Sequence, residues 1–315
     1  ELKGPPGLDL LAGTGERILS AAPPGRESVP LPRYGFVLLV LLTFFWGINW
    51  PVIKIALEDL PVLTFRAVCL AGGAVVILVL SRALGHSLTV PRRHWPMLGL
   101  CALFNITGWQ LLTGYGVDFT SSGRAAIIGY TMPLWAAPLS FLVLGESVTW
   151  RRLVALTLGT AGLVILIASD IEKLDQAPLG ALFMLAGAIS WACGTIAQKR
   201  VDWGVPTTVL AIYIAAGAFA DYETVSFPTL WPLLSVIYNI LIAFVFCYYA
   251  YYEVVRIFPV GIATVGTLAT PIVGVFSGAL VLGEKLAWPE YSALTLVVAG
   301  LGLPILWRSS RSRLR

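Results

Sequence analysis

The sequence predicts an all-α integral membrane protein with ten transmembrane helices, arranged as two inverted five-helix repeats around a central cavity. Three observations carry this prediction. The chain of 315 residues is 57% hydrophobic and 12% charged, with a mean hydropathy of +0.83, an apolar excess that a soluble domain cannot bury. Apolar runs of about 20 residues, long enough to cross a hydrocarbon core of about 30 Å, recur along it. Residues 120–169 are also echoed over 258–306, where LVLGE is repeated letter for letter.

The duplication defines two repeats, residues 36–169 and 179–307. Pro133 aligns with Pro271 at a separation of 138 residues (271 − 133 = 138). The same separation aligns two further pairs, Gly145 with Gly283 and Glu146 with Glu284. Each repeat holds five predicted spans, an odd number, so the second repeat enters the membrane from the side opposite to the first. This arrangement predicts inverted repeats related by a pseudo-two-fold axis in the membrane plane.

The elements follow from the apolar runs in chain order. Residues 1–35 are rich in Pro, Gly and charge and are predicted to form a disordered cytoplasmic tail, with a cleaved signal peptide as the alternative. Residues 308–315 are predicted to be a basic cytoplasmic tail. The ten predicted spans cover residues 36–56, 63–81, 95–114, 121–143, 150–168, 180–199, 207–222, 231–252, 259–282 and 288–307.

The loop charges set the predicted orientation. With a cytoplasmic N-terminus, the inner loops collect most of the loop Lys and Arg residues, including Arg92, Arg93, Arg151 and Arg152. This follows the positive-inside rule. We therefore expect a multi-pass protein of the inner (plasma) membrane with both termini cytoplasmic. The formal net charge of +4 has this explanation, so it does not indicate nucleic-acid binding.

Several motifs carry a family resemblance. The paired hairpins PLW…LVLGE and TPIVG…LVLGE, the opening WGINWPVIK and the second-span start VLTFRA resemble the drug/metabolite transporter superfamily, specifically its EamA-type ten-helix members. The resemblance covers everything after the N-terminal tail. It implies an exporter of amino acids or related metabolites, aromatic amino acids among them, with a central cavity between the two halves.

Candidate substrate-binding residues are polar or aromatic side chains near the middle of the spans, because inverted-repeat transporters bind substrate at the midplane. A buried amide must find a partner, so the Asn side chains are expected to face the bundle interior. The alternatives are that the amides only join helices and that the tryptophans only pack. The candidates are Trp46, Asn49, Trp50, Asn105, Trp109, Gln110, Tyr130, Trp191, Tyr213 and Asn239.

Cations and prolines near the spans give further predictions. Lys54, one turn after Trp50, is predicted to meet a substrate carboxylate at the outer mouth. Arg66 and Arg124 are predicted to extend towards the outer membrane surface as snorkelling side chains. Pro133 and Pro271, at matched positions, are candidate hinges for alternating access, with static bends as the alternative.

Glu146 and Glu284 stand at matched turns, and each is predicted to cap or pair near the start of the next helix. The Gly159–Gly162 and Gly300–Gly302 steps predict close packing of the fifth and tenth spans, in a monomer or a homodimer.

The sequence predicts no catalytic residue, no metal site and no cofactor. His86 and His94 have no Cys or carboxylate neighbours in sequence, and the four Cys residues lack CxxC spacing. The predicted partners are a small-molecule substrate and the lipid bilayer, with no nucleic acid. Export or uptake of drugs, purines or sugar-nucleotide-like metabolites is the alternative function, and a membrane enzyme is a further one.

Overall fold

The computed structural model describes residues 33–83, 85, 89–145, 150–171, 177–199, 228–257 and 269–312. The regular elements in these ranges are all helical. They are α1 Arg33–Ala56, α2 Val62–Ala83, α3 Trp95–Cys101, α4 Trp109–Phe119, α5 Ser122–Gly129, α6 Met132–Leu144, α7 Trp150–Ile171, α8 Ala177–Lys199, α9 Leu230–Tyr238, α10 Cys247–Ile257, α11 Ala269–Leu282 and α12 Trp288–Ser312. A short 3₁₀ turn, Arg92–His94, precedes α3.

Among the described residues, six helices are long and apolar enough to cross a membrane. They span Arg33–Ala56, Val62–Ala83, Arg92–Phe119, Ser122–Leu144, Pro178–Ala197 and Leu230–Tyr251. Shorter apolar helices cover Leu156–Ser169 and Ala269–Leu282. The predicted all-helical membrane fold is therefore confirmed. The count of ten stays a prediction, because the seventh predicted span, 207–222, lies outside the described residues.

Two predicted boundaries differ from the structure. Helix α1 begins at Arg33, inside the predicted N-terminal tail, and α12 continues to Ser312, inside the predicted basic tail. Both extensions add polar residues to an apolar helix. Helix ends of this kind continue the backbone hydrogen bonding into the interface beyond the apolar run.

Two π-helical segments occupy equivalent places in the two repeats. Ala102–Gly108 joins α3 to α4 in the third span, and Asn239–Phe246 joins α9 to α10 in the eighth. A π segment inserts extra backbone into an α-helix and is frequent at functional sites. The turns after α6 and α11 match as well, since Gly145 and Gly283 adopt left-handed φ values of 67° and 66°, which glycine tolerates without a Cβ clash.

Helix packing follows the duplication. Helix α1 of the first repeat packs on α11 and α9–α10 of the second. Its counterpart α8 in the second repeat packs on α6 and α3–α4 of the first. The fifth and tenth spans, α7 and α12, are each other's counterparts and pack together. A pseudo-two-fold axis between the repeats produces this set of paired contacts.

Glycine supports the contact between α7 and α12, as predicted. A Cβ at Gly162 would lie 3.1 Å from the carbonyl oxygen of Ala293 on α12. Gly159 faces a different neighbour, because a Cβ there would meet the side chain of Leu134 on α6. The small-residue step therefore joins helices within one chain.

The outer surface of the bundle is apolar. Leu280 is 86% exposed, Leu142 74% and Val40 67%, values that fit side chains facing lipid. The interior holds fully buried side chains such as Phe65 and Met184. Between them, the first and second repeats enclose a cavity.

The fourth span is broken in the middle. Helix α5 ends at Gly129, Tyr130 and Thr131 form a turn, and α6 restarts at Met132. Pro133 lies in the first turn of α6, where its missing N–H leaves no hydrogen bond unmade. Discontinuous helices of this kind place backbone polar groups beside a cavity.

Candidate functional site

A cavity of about 100 Å³ lies between the two repeats. Its wall is mostly apolar and aromatic with a few polar groups, a composition typical of small-molecule sites. Its aromatic lining consists of Trp46, Trp50, Trp109, Tyr130, Trp191, Phe244 and Tyr248. Its polar lining consists of Asn49, Arg66, Gln110, Thr113 and Asn239, and Ile53, Met132 and Ala243 complete the wall.

Most of the candidate residues come together here. Eight line the cavity, namely Trp46, Asn49, Trp50, Trp109, Gln110, Tyr130, Trp191 and Asn239. Asn105 and Lys54 are placed elsewhere, and Tyr213 lies outside the described residues. Whether the lining residues bind substrate stays a prediction.

The aromatic wall is built from edge-to-face pairs. The rings of Trp109 and Trp191 lie 5.2 Å apart at 61°, and those of Trp46 and Tyr248 lie 5.8 Å apart at 84°. Trp46 Nε1 also donates to the Ala243 carbonyl oxygen at 3.2 Å. These contacts fix the rings and leave apolar surface on the cavity side.

Amide groups complete the wall with hydrogen-bonding capacity. Asn239 is fully buried, and its Nδ2 donates to the Ser235 carbonyl oxygen at 3.0 Å. Its Oδ1, like Asn49 Oδ1, is buried and accepts no hydrogen bond from any described residue. A buried acceptor without a donor is costly unless a ligand supplies one. Both oxygens therefore lack a donor among the described residues of the cavity wall.

Asn105 takes a different role from the one predicted. Its Nδ2 donates to the Trp191 carbonyl oxygen at 3.2 Å, and the side chain is 3% exposed. Gly194 on α8 makes room for it, since a Cβ there would overlap the amide oxygen. The π-helical segment places Asn105 against α8. This amide therefore joins the third span to α8 through the backbone of Trp191.

Lys54 is also placed outside the cavity. Its Nζ donates to three carbonyl oxygens at the end of α4, those of Val117 at 2.7 Å, Asp118 at 2.6 Å and Thr120 at 3.1 Å. The last carbonyl oxygens of a helix have no N–H donor within the helix, and they favour a cation. Lys54 therefore caps α4, and the expected contact with a substrate carboxylate is not supported by this geometry.

Arg124 does not extend to the membrane surface as predicted. It is 5% exposed, and its Nε donates to Glu290 Oε1 on α12 at 2.6 Å. Its Nη2 donates to Ser169 Oγ on α7 at 3.3 Å. The sequence-based prediction was wrong because the carboxylate partner lies 166 positions away in the other repeat.

Glu284 caps a helix, but not the one that follows it. Its carboxylate accepts the N–H of Ser122 at 2.6 Å and the N–H of Gly123 at 3.0 Å, at the start of α5 in the other repeat. Negative charge is favoured at a helix N-terminus. Its counterpart Glu146 lies outside the described residues.

Arg66 is a cavity residue whose position the sequence did not reveal, as are Thr113, Phe244 and Tyr248. It is 2% exposed rather than snorkelling, and it lines the cavity beside Thr113. Its Nη2 lies 3.4 Å from Thr113 Oγ1, and its guanidinium carbon lies 5.2 Å from the centroid of the Phe65 ring. The only sequence signal was an arginine at the fifth position of a helix whose other arginine, Arg82, lies in its last turn.

The two matched prolines differ in environment. Pro133 is exposed in the first turn of α6, and Pro271 is buried in the first turn of α11. Their role as hinges stays a prediction.

Several of the polar contacts between the repeats lie at one end of the bundle, which we call the Glu284 end. Here α4 ends, α5 and α12 begin, and Asp59 accepts hydrogen bonds from the Thr229 backbone N–H and hydroxyl before α9. These hydrogen bonds lower the pKa of the Asp59 carboxyl below its ordinary value. Among the described residues, no three His, Cys, Asp or Glu side chains are grouped as metal ligands.

Comparison with known proteins identifies the family of this chain. The model of the EamA-like transporter family matches residues 33–168 and again residues 178–306. The chain is 24% identical over 314 residues to a probable amino-acid metabolite efflux pump of Escherichia coli (strain K12), covering 89% of this chain and 98% of that protein. It is 28% identical to the uncharacterized inner membrane transporter YedA of the same organism, covering 89% and 92%.

Two further comparisons agree. The uncharacterized transporter YoaV of Bacillus subtilis (strain 168) is 22% identical, over 84% of this chain and 94% of its own. One protein crystal structure superposes with a TM-score of 0.61 at 20% identity, covering 85% of this chain and 96% of the other, a likeness that shows the fold alone. The family match extends over nearly all of the described helices, and the chain belongs to the EamA-like transporter family of the drug/metabolite transporter superfamily.

Proposed function

We propose that this multi-pass membrane transporter exports small metabolites, most of all amino acids including aromatic ones, by alternating access between its two repeats. Relatives named probable amino-acid metabolite efflux pumps, in Escherichia coli and Salmonella typhimurium, support export. The observation that carries the substrate class is the cavity lining. Aromatic rings and unpartnered amide oxygens share one cavity between the repeats.

The lining matches the two ends of an amino acid. The edge-to-face rings offer apolar surface to a side chain, and each added ring contact is worth about 0.5–1.5 kcal/mol. The amide oxygens of Asn49 and Asn239 accept hydrogen bonds from an ammonium group. Purines and planar drugs fit the aromatic surface too, so they serve as competitors in the test.

The broken fourth span supports alternating access. Tyr130 lies at the break between α5 and α6 and lines the cavity, so a movement of α6 relative to α5 changes the cavity wall. Helix α5 is joined to the second repeat through Glu284 and Glu290. Rocking of one repeat against the other requires these contacts to break and re-form.

We also propose that both termini are cytoplasmic and that the Glu284 end faces outwards. The Lys and Arg distribution supports this orientation. Membrane-impermeant thiol labelling of intact cells is expected to modify a cysteine introduced at position 285 and to spare one at position 147. The opposite labelling pattern contradicts the orientation.

The substrate class is tested by flux from proteoliposomes with amino acids, purines and cationic drugs. Trp46→Ala is expected to weaken phenylalanine and tryptophan tenfold or more while sparing alanine and serine. Asn239→Leu is expected to weaken all amino acids alike, because it removes a contact to the shared head group. Trp231→Ala is the matched control, since Trp231 is 69% exposed and outside the cavity lining.

Two outcomes count against the proposal. Equal loss for every substrate in Trp46→Ala, with folding intact, means that this tryptophan only packs. Flux of purines or drugs in the absence of amino-acid flux replaces the proposed substrate class by the competing one.

A further inference from the structure

We propose that Arg66 is the anion-binding group of the cavity and that the transported substrates carry a carboxylate, which pairs with its guanidinium. The substrate class is thereby narrowed to small organic carboxylates with an aromatic or apolar body. This inference rests on the proposed function, because it assigns a substrate group to the same cavity.

The burial of Arg66 requires a counter-charge. An arginine stays protonated in proteins, so its charge cannot be removed by deprotonation. The side chain is only 2% exposed, in a cavity where aromatic rings predominate. A buried charge is expensive unless an opposite charge or a full set of hydrogen bonds offsets the lost hydration.

The protein supplies little of that compensation within the described residues. Arg66 Nε is buried and has no acceptor there. Its Nη2 has only a long contact of 3.4 Å with Thr113 Oγ1, whose own proton is donated to the Trp109 carbonyl oxygen at 2.7 Å. The Phe65 ring at 5.2 Å contributes a cation–π contact. No Asp or Glu in the described part of the chain forms an ion pair with Arg66.

Arg124 provides an internal comparison. It is buried to a similar degree, at 5% exposed, yet its guanidinium is bonded to Glu290 and Ser169. Arg124 is not part of the cavity lining, whereas Arg66 is. Arg124, away from the cavity, pairs with a carboxylate of the protein. Arg66 lines the cavity, where a substrate carboxylate can take the corresponding position.

Residues of α4 lie directly beside Arg66. Gly114 allows α2 to approach α4 closely, since a Cβ there would lie 2.5 Å from Val62 Cγ1 and 3.2 Å from Arg66 Nε. Gln110 and Thr113, about one turn apart on α4, line the cavity with it. A planar guanidinium presents its N–H groups as a fork that fits a carboxylate, and a neighbouring amide N–H adds a donor.

The polar groups of the cavity then fall into hydrogen-bond donors and hydrogen-bond acceptors. Arg66 offers donors only, and the unpartnered oxygens of Asn49 and Asn239 offer acceptors. A substrate carboxylate is directed to Arg66 and a substrate ammonium to the two amides. The aromatic rings receive the remaining apolar body.

The test begins with wild-type protein, so it does not depend on a variant that folds. Binding to the purified protein is measured for phenylalanine, for phenylalaninamide, which lacks the carboxylate, and for 3-phenylpropionate and benzoate, which lack the ammonium. We expect phenylalaninamide to bind at least tenfold more weakly than phenylalanine, and 3-phenylpropionate to retain measurable binding. Equal affinity for phenylalanine and its amide overturns the proposal.

Variants then assign the effect to Arg66. Arg66→Gln is expected to weaken the carboxylates tenfold or more and to leave phenylalaninamide unchanged, while Arg66→Lys recovers part of the loss because it restores charge without the fork. Arg82→Gln is the matched control, since Arg82 is an exposed arginine in the last turn of the same helix. Loss of acid and amide binding to the same degree in a folded Arg66→Gln protein overturns the assignment.

The failure of the proposed function gives a different result. Wild-type protein that binds no amino acid, yet binds 3-phenylpropionate or benzoate in an Arg66-dependent way, contradicts amino-acid export and supports the anion site. Wild-type protein that binds phenylalanine and phenylalaninamide equally well contradicts the anion site and leaves amino-acid export standing. Each pattern therefore identifies which of the two proposals is wrong.

Discussion

Replacing Glu284 by Gln is expected to loosen the contact between the two repeats at the Glu284 end. The carboxylate accepts the N–H groups of Ser122 and Gly123 at 2.6 and 3.0 Å, and neither N–H has an acceptor within α5. A Gln amide presents one oxygen and one NH₂ group. Each carboxylate oxygen of Glu284 accepts one N–H, so in the same geometry the amide oxygen replaces one acceptor and the NH₂ group opposes the other N–H with a donor.

The size of the effect follows from these contacts. Hydrogen bonds to a charged group are worth about 1.5–3 kcal/mol, against about 1 kcal/mol for neutral ones. Negative charge at a helix N-terminus adds about 0.3–1 kcal/mol. Glu284 is half-buried, so solvent screening favours the lower part of the sum. A loss of about 2 kcal/mol raises the population with this contact open by roughly 30-fold.

Hydrogen exchange of the Ser122 and Gly123 amides reads this population directly. Mass spectrometry of a peptide that contains both is expected to show exchange about 30-fold faster in Glu284→Gln than in wild type. Lys285→Gln is the control, because it changes the charge of the exposed neighbour in the same turn. Identical exchange in all three folded proteins would falsify the capping role of Glu284.

Three further predictions concern packing and movement. Arg124→Leu is expected to destabilise the folded protein by about 3–5 kcal/mol, because it leaves Glu290 buried and unpaired; a thermal midpoint in detergent equal to that of wild type contradicts this. Gly194→Ala is expected to cost about 1–3 kcal/mol by overpacking against an amide of the third span, which the same measurement checks. Pro133→Ala and Pro271→Ala are expected to slow turnover more than they weaken affinity, and unchanged turnover with weaker binding contradicts a hinge.

Much of the cavity could be predicted because its residues have few alternatives. A tryptophan or amide in the middle of an apolar span, such as Trp46, Asn49 or Asn239, is either against another helix or beside a cavity. Depth in the span and residue type are enough to propose a position of this kind. The duplicated turns and the paired spans followed from sequence identity between the repeats.

The cations could not be placed in the same way. Arg66, Arg124 and Lys54 all lie near span ends, where snorkelling towards water and burial inside the bundle are both acceptable for a long side chain. Which one occurs depends on a partner from a distant part of the chain, as with Glu290 for Arg124. The helix that Glu284 caps was predicted wrongly for the same reason, because that helix lies in the other repeat.

The buried charge of Arg66 also has an electrical consequence. In the proposed alternating access the membrane field falls across the closed side of the cavity, so a charge in the cavity changes its electrical position when the closed side switches. One elementary charge crossing the whole field corresponds to about 2.3 kcal/mol per 100 mV. In the proposed pairing a monocarboxylate neutralises Arg66 in the loaded protein, so voltage acts mainly on the return of the empty protein. Net export of monocarboxylates is then voltage-dependent, whereas their exchange, which uses only the loaded protein, is not. A zwitterion does not change the net charge, so the loaded and the empty protein reorient with equal voltage sensitivity.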